Sequence, residues 1–326
     1  MSVTTELLTP SDPESSLEAA EAATHVEGLT PMRLAWRRLR HDRVSMIALG
    51  FVVLITLVAI FAPLLTDLIG HPPNTQYSNG LTLYGHPIPP SGQFLLGTDD
   101  LGRDLLSRII WGARVSLEVG IGATAMALVL GLAFGLISGY FGGPIDALIA
   151  RFMDIMLAFP ILLFALALVA RFGASLTLIL LVVAFFQWPL IARLVRGQVI
   201  SLREREFTEA ARAVGASDFR IMFVEILPNL VALAVVYATL LIPVNIVLEA
   251  TLSYLGLGIQ PPTASWGNII AEAQNGDLYT IAWWMLVFPS VALFLTTLAF
   301  NLLGDGLRDA LDPRQGRSHV TGGGSS

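Results

Sequence analysis

Cysteine and lysine are both absent from this chain of 326 residues, whose 19 basic residues are all arginines. A phosphate-binding GxxxxGK[ST] loop requires a lysine, and a Schiff-base or thiolate nucleophile requires a lysine or a cysteine. No disulfide bond can form either. If ATP drives the activity of this protein, another chain must hydrolyse it, and we expect no catalytic residue and no cofactor in this one.

Histidines are few, and none has the spacing of a metal site. The five histidines lie in predicted tails and loops without an HxxxH or HExxH pattern. We therefore predict that the chain has no metal site. They are His25, His41, His71, His86 and His319.

Charge is scarce as well, at 13% of residues, whereas 54% of residues are hydrophobic and the mean hydropathy is +0.69. Too little polar surface is present to cover a soluble globule. Because a bilayer core of about 30 Å takes about 20 apolar residues of helix, six segments qualify as spans. The sequence therefore predicts an all-α integral membrane protein with transmembrane helices near 44–65, 115–139, 145–170, 176–192, 230–248 and 281–303.

The arginines indicate how these six spans are oriented. With the N-terminus inside, only Arg103, Arg108, Arg114 and Arg171 lie outside, and the other 15 arginines are cytoplasmic. The positive-inside rule strongly favours this arrangement. Six crossings then place both termini in the cytoplasm.

This topology divides the chain into five regions. The first 30 residues carry six acidic and no basic residues, which is typical of a disordered tail. We predict a disordered acidic cytoplasmic tail (1–32), a basic anchor with the first transmembrane helix (33–65), an extracytoplasmic segment (66–112), a transmembrane domain of five helices (113–304) and a cytoplasmic C-terminal tail (305–326).

The longest predicted cytoplasmic loop, 193–229, contains an amphipathic helix. Phe207, Ala210, Ala211 and Val214 follow the i, i+3, i+4, i+7 spacing of one helical face. Gly215 suits the end of this helix, and Ser217 or Asp218 can cap a second one. From the residues alone, a helix lying at the membrane surface or packing on its own bundle is the simpler interpretation.

The amino-acid sequence of this loop matches a known motif, which adds a second argument. EAARAVGAS followed by ILPN resembles the EAA loop of bacterial ABC-importer permeases, through Glu209, Ala210, Ala211, Gly215, Leu227 and Pro228. Four further segments resemble the oligopeptide, dipeptide and nickel permeases, and the resemblance covers about residues 33–314. They are LLGTDDLGRDLLSRIIWGARVSL, GYFGGPIDALIARFMDIMLAFP, EATLSYLGLGIQPPTASWG and NLLGDGLRDALDPR.

The resemblance implies a type I ABC importer transmembrane domain that forms half of a translocation path for di- or oligopeptides. Its implied partners are a second homologous permease, two ATPase subunits that bind ATP and Mg²⁺, and an extracytoplasmic substrate-binding protein, in a bacterial or archaeal cytoplasmic membrane. A nickel chelate or another small solute remains open as the substrate. A secondary transporter would typically show inverted repeats, broken helices and acids at the midplane, whereas the centres of these spans are largely uncharged.

Within that scheme the loop helix would insert into a groove on an ATPase. Ala210 and Ala211 would allow close approach, Gly215 would set the turn, and Glu209 would hold the loop through a hydrogen bond or an ion pair. Glu249, near the outer end of the fifth span, is the candidate substrate-path residue, because ionisable groups at membrane depth often face a polar cavity. Its alternatives are a place at the headgroup level or a pair with an arginine of a partner chain.

Other patterns receive structural interpretations. Pro160, Pro189 and Pro243 can bend their spans. We assign three further groups, in the order given below, to helix packing, to a helix cap with local ion pairs, and to an interfacial aromatic belt. These are Gly131, Gly135 and Gly139; Asp99, Asp100, Arg103 and Asp104; and Trp266, Trp283 and Trp284.

Overall fold

The computed structural model describes residues 36–311 as an almost entirely helical chain, with two isolated β-bridges and no longer strand in that range. Five helices are each long and apolar enough to cross a membrane, and a bent pair makes a sixth crossing if it is counted as one span. The helices are α1 Arg43–Ile60, α2 Ala62–Ile69, α3 Leu105–Phe141, α4 Gly143–Ala158, α5 Ile161–Phe172, α6 Leu176–Arg203, α7 Glu206–Ala213, α8 Leu227–Tyr254, α9 Trp266–Gln274 and α10 Trp284–Leu311.

Several helices extend beyond the apolar segments that predicted them. The helix α6 continues to Arg203, so residues 193–203 of the predicted loop are helical, and α10 reaches Leu311 rather than ending near 303. Hydropathy marks only the part of a helix that lies in lipid, while arginine and glutamate continue a helix well in water. The predicted tail at 1–32 and most of that at 305–326 lie outside the described residues.

The third predicted span, 145–170, is wrong as a single helix. The chain divides there into α4 and α5, which meet at an angle of 81°. Pro160 explains the break, because proline has no N–H to donate and disfavours helical geometry in the residue before it. Phe159 is accordingly extended, with ψ at 130°.

The helices α3 and α6 pack side by side through glycine. A Cβ atom on Gly135 would lie 2.7 Å from the Ala192 carbonyl oxygen, and one on Gly139 would lie 2.8 Å from the Arg196 carbonyl oxygen. Gly131 faces Ile191 in the same way. The packing interpretation of these three glycines is therefore confirmed, because no larger residue fits at this spacing.

The aromatic-belt interpretation is wrong for two of its three tryptophans. Trp266 and Trp284 are buried, and their ring nitrogens donate to the carbonyl oxygens of Ile109 (3.1 Å) and Thr98 (3.0 Å). Trp284 therefore fastens the loop before α3 to the C-terminal part of the chain, and Trp266 does the same for the start of α3. Only Trp283, which is 53% exposed, is placed as a belt residue would be.

The two ends of the described chain lie together. The Arg38 guanidinium donates to the Ala310 carbonyl oxygen at 3.4 Å, and Leu39 packs against Ala310. The start of α1 and the end of α10 are therefore on the same side of the bundle, as an even number of crossings requires.

Candidate functional site

The amphipathic helix predicted in the long loop is present as α7, Glu206–Ala213. It follows α6 after a break at Glu204 and Arg205, and the Arg205 carbonyl accepts the first intrahelical bonds from Thr208 and Glu209. Glu206 and Glu209 lie in its first turn and Arg212 in its last. This order of charges complements the helix dipole, which favours so short a helix.

The turn after α7 depends on Gly215. Its φ is +83°, in the left-handed region that glycine adopts without a steric penalty. The N–H groups of Gly215 and Ala216 close the helix by donating to the carbonyls of Arg212 and Ala211, both at 3.0 Å. The hydroxyl of Ser217 then caps the next turn by accepting from Arg220 N–H. The expected helix, turn and cap are all in place.

One face of α7 is bound to the chain and the other is free of it. Thr208 is fully buried, and its hydroxyl donates to the Leu202 carbonyl oxygen at 2.8 Å. Ala211 packs against the core cluster shared by α3 and α6. Phe207, Ala210 and Val214 are exposed, Val214 by 84%. The apolar stripe predicted from the sequence therefore divides, and most of it faces away from this chain.

Polar contacts connect α7 and its turn to the membrane helices. The Tyr140 hydroxyl at the end of α3 bonds Asp218 at 2.7 Å, and the Arg203 guanidinium donates to the Tyr140 carbonyl at 3.0 Å. Nearby, Arg196 of α6 pairs with Asp146 of α4 at 2.6 Å. These bonds join the turn after α7 to the end of α3, the end of α3 to α6, and α6 to α4.

Leu227 and Pro228 lie where the loop rejoins a span. Residues Ile221–Ile226 form a π-helical turn, and Leu227 N–H donates to the Met222 carbonyl, five residues back. Proline at 228 cannot donate to the carbonyl four residues before it, which favours a widened turn at this point. The π turn leads directly into α8, so the end of the loop and the fifth span form one continuous helical element of 37 residues, Asp218–Tyr254.

Within this chain Thr208 holds α7 to the end of α6. Glu209 is exposed, and within residues 36–311 its carboxylate forms no ion pair. Thr208 was missed because a single threonine beside the EAA triplet carries no distinctive sequence signal. Contact between Glu209 and a partner chain stays a prediction.

Glu249 is fully buried inside the bundle. Its carboxylate accepts hydrogen bonds from the Ser116 hydroxyl of α3 (2.9 Å) and the Ser253 hydroxyl of α8 (2.7 Å). These serines satisfy the carboxylate without a partner chain and connect α3 to α8. Its role as a substrate contact stays a prediction that this geometry does not require.

A buried ionic cluster lies at the N-terminal end of α3, opposite the end at which Tyr140 contacts the turn after α7. Arg103 donates to Asp99 at 2.6 Å, and Glu272 of α9 binds Arg103 at 3.3 Å and Arg108 at 3.0 Å. Asp104 caps α3 by accepting from Ser107 N–H at 2.7 Å, as predicted. The long-range partners Arg108 and Glu272 were missed, since a distance of 164 residues leaves no local pattern.

Comparison with known proteins identifies the family. Residues 131–317 match the model of the binding-protein-dependent transport system inner membrane component, and residues 30–87 match the N-terminal transmembrane domain of oligopeptide transport permease C. The chain belongs to this family of inner-membrane permeases. The expected all-helical ABC importer transmembrane domain in a multi-pass inner-membrane protein is confirmed.

Individual relatives are similar to this permease over nearly their whole length. It is 44% identical to the dipeptide transport system permease protein DppC of Alkalihalophilus pseudofirmus over 286 residues, covering 88% of this chain and 91% of that one. Identity is 41% to the di/tripeptide transport system permease protein DppC of Pseudomonas aeruginosa, with coverage of 87% and 93%. It is 44% to the glutathione transport system permease protein GsiD of Escherichia coli O157:H7, with coverage of 87% and 91%.

Proposed function

We propose that this permease forms half of the translocation path of an ATP-driven importer for small peptides. The relatives named for dipeptide, di/tripeptide and glutathione transport support the peptide class, because glutathione is itself a tripeptide. Peptides are therefore favoured over nickel chelates as the substrate.

The proposed complex contains a second homologous permease, two ATPase subunits and an extracytoplasmic substrate-binding protein. ATP and Mg²⁺ are bound by the ATPases, in keeping with the lack of lysine in this chain. The end of the bundle that carries α7 faces the cytoplasm, together with both termini. The arginine distribution and the neighbouring ends of α1 and α10 support this orientation.

The exposed face of α7 carries the proposal. Phe207, Ala210 and Val214 form an exposed apolar surface on a short helix, which is held to α6 by the hydrogen bond from Thr208 to the Leu202 carbonyl. The small side chain of Ala210 permits close approach by an ATPase groove, and Gly215 fixes the turn beside it. Closure of the ATPases would then move α8 through the π turn that ends at Leu227 and Pro228.

Purification from the native membrane in mild detergent tests this proposal. We expect a second permease and ATPase subunits to be recovered with the chain, and ATP hydrolysis to increase when binding protein and alanyl-alanine are added. Val214→Glu should abolish recovery of the ATPases, because it places a charge in the apolar contact. Leu83→Glu, at a fully exposed leucine in the segment between α1 and α3, is the matched control. Recovery of the chain alone, or of ATPases with Val214→Glu unimpaired, would contradict the proposal.

A further inference from the structure

A groove of about 450 Å³ lies where the third span breaks. Three elements form its wall: the junction of α4 and α5, the middle of α6, and the C-terminal half of α8. Most of its surface is apolar, and Gln187 is the largest polar side chain that lines it. Glu249 belongs to α8 as well, but it points into the bundle towards Ser116.

The break places polar backbone groups at the groove. Phe159, at the break, is 55% exposed on the surface of this chain. Helix geometry leaves the N–H groups of Ile161 and Leu162 without an intrahelical acceptor, since they begin α5. Irregular backbone at membrane depth is tolerated only where protein covers it or where it lines a water-filled cavity.

Gln187 supplies a second and independent observation. Its residue is 8% exposed, and its buried Oε1 atom has no hydrogen-bond partner among the described residues. An unsatisfied buried acceptor requires an explanation in a native structure. At a rise of 1.5 Å per residue, Gln187 lies about 17 Å along α6 from its start, which is close to the middle of a bilayer core.

We infer that this groove is the substrate-contacting wall of the translocation path, and that Gln187 hydrogen-bonds the main chain of a passing peptide. The inference rests on the proposed function and adds the contact that this function needs. A carboxamide offers one acceptor and two donors, so it matches the N–H and C=O of a peptide unit. Being uncharged and surrounded by apolar residues, it distinguishes little between peptide side chains.

Uptake into proteoliposomes that contain the complete transporter tests the role of Gln187. We expect Gln187→Leu to lower the uptake of alanyl-alanine, phenylalanyl-alanine and glutamyl-alanine by the same factor, about five- to tenfold, as for one lost hydrogen bond. Gln198→Leu, at an exposed position on the same helix, should leave uptake unchanged. Partner subunits should be recovered equally with both variants.

Three results would overturn the inference. Wild-type uptake by Gln187→Leu removes the proposed contact, and loss of the partner permease from this variant assigns Gln187 to the subunit interface instead. If the wild-type complex takes up no peptide at all, the proposed function fails, and the inference fails with it. Uptake by the wild type and by the variant alike sinks only the inference.

Accessibility of the groove is tested through the lack of native cysteine in this chain. Leu190 lines the groove and is 45% exposed, whereas Leu181 of the same helix is 47% exposed and does not line it. In the assembled transporter, Leu190→Cys should react with a charged methanethiosulfonate reagent, and alanyl-alanine should slow that reaction. Leu181→Cys should not react, because it lies outside the groove. No reaction at either cysteine would mean that lipid or a partner helix fills the groove.

Discussion

Arg108 and Glu272 are separated by 164 residues in the chain, yet the guanidinium of Arg108 donates two hydrogen bonds of 3.0 Å to the Glu272 carboxylate. Both residues are buried. The pair fastens α9 to the first turn of α3, where Arg103 and Asp99 extend it into a cluster. This end of the bundle is therefore fixed by charge as well as by apolar packing.

Removing one member of this cluster should destabilise the protein strongly. We expect Arg108→Gln to lower the free energy of unfolding by about 3–5 kcal/mol, because it leaves Glu272 buried without its main partner. Arg193→Gln is the matched control, since Arg193 pairs with Asp154 at 2.7 Å but both side chains are more than half exposed. Thermal unfolding in detergent measures both variants. Equal changes would show that burial does not govern these pairs.

Stability should also depend on pH through Glu272. Burial raises the pKa of this carboxyl above its usual range, although Arg108 and Arg103 act to lower it. The folded protein thus binds this proton at higher pH than the unfolded chain does. The stability that Glu272 contributes by binding this proton is complete below the ordinary pKa of 4.5. It is lost as pH rises through the pKa of Glu272 in the folded protein.

We therefore expect the free energy of unfolding to increase as pH falls from neutrality towards 4.5, in unfolding curves recorded over that range. Glu272→Gln should flatten this dependence. It should not abolish it, because burial also raises the pKa of Asp100. A stability that falls over the same range in the wild type would contradict this assignment.

Gly215 offers a test of coupling. Gly215→Val places a β-branched residue at a φ of +83°, at a local cost of roughly 1–2 kcal/mol or more. We expect the variant to insert into the membrane and to lose substrate-stimulated ATP turnover, because α7 is then presented at the wrong angle. Gly50→Val controls for the added bulk, because Gly50 lies within α1 and a Cβ atom there would have no neighbour within 4 Å. Normal stimulation with Gly215→Val would remove the coupling role of this turn.

The spans and the helix α7 could be predicted because their signals are local. Apolar runs predicted the membrane helices, and the spacing of Phe207, Ala210 and Val214 predicted the helix of the loop. Gly215 likewise predicted the turn at the end of this helix. These features depend on neighbours within a few residues, so one sequence is enough to find them.

The remaining features depend on distant contacts or on competition between local signals. The segment 145–170 is long and apolar enough for one span, and Pro160 was expected only to bend it. The broken span was therefore predicted as one helix. Trp266 was assigned to the membrane interface because its acceptor, the Ile109 carbonyl, is 157 residues away. Gln187 could not be predicted as a site residue, because the role of one amide in an apolar helix depends on side chains that are distant in the sequence.

Two substitutions of Glu249 distinguish a structural role from a role as a substrate contact. We expect Glu249→Gln to retain transport, because an amide can still bond Ser116 and Ser253, whereas Glu249→Leu should cost about 1–3 kcal/mol by leaving both hydroxyls unsatisfied. Uptake assays and unfolding curves on both variants check this. If Glu249→Gln folds normally but fails to transport peptide, Glu249 is a substrate contact after all.

The most direct test of the account is the energy source for uptake. The purified transporter, with its binding protein, would be placed in proteoliposomes, and entry of labelled alanyl-alanine would be measured with ATP or with an ion gradient. We predict uptake that requires ATP hydrolysis, and no uptake from an ion gradient alone. Uptake driven by the gradient without ATP would contradict the account and establish a secondary transporter.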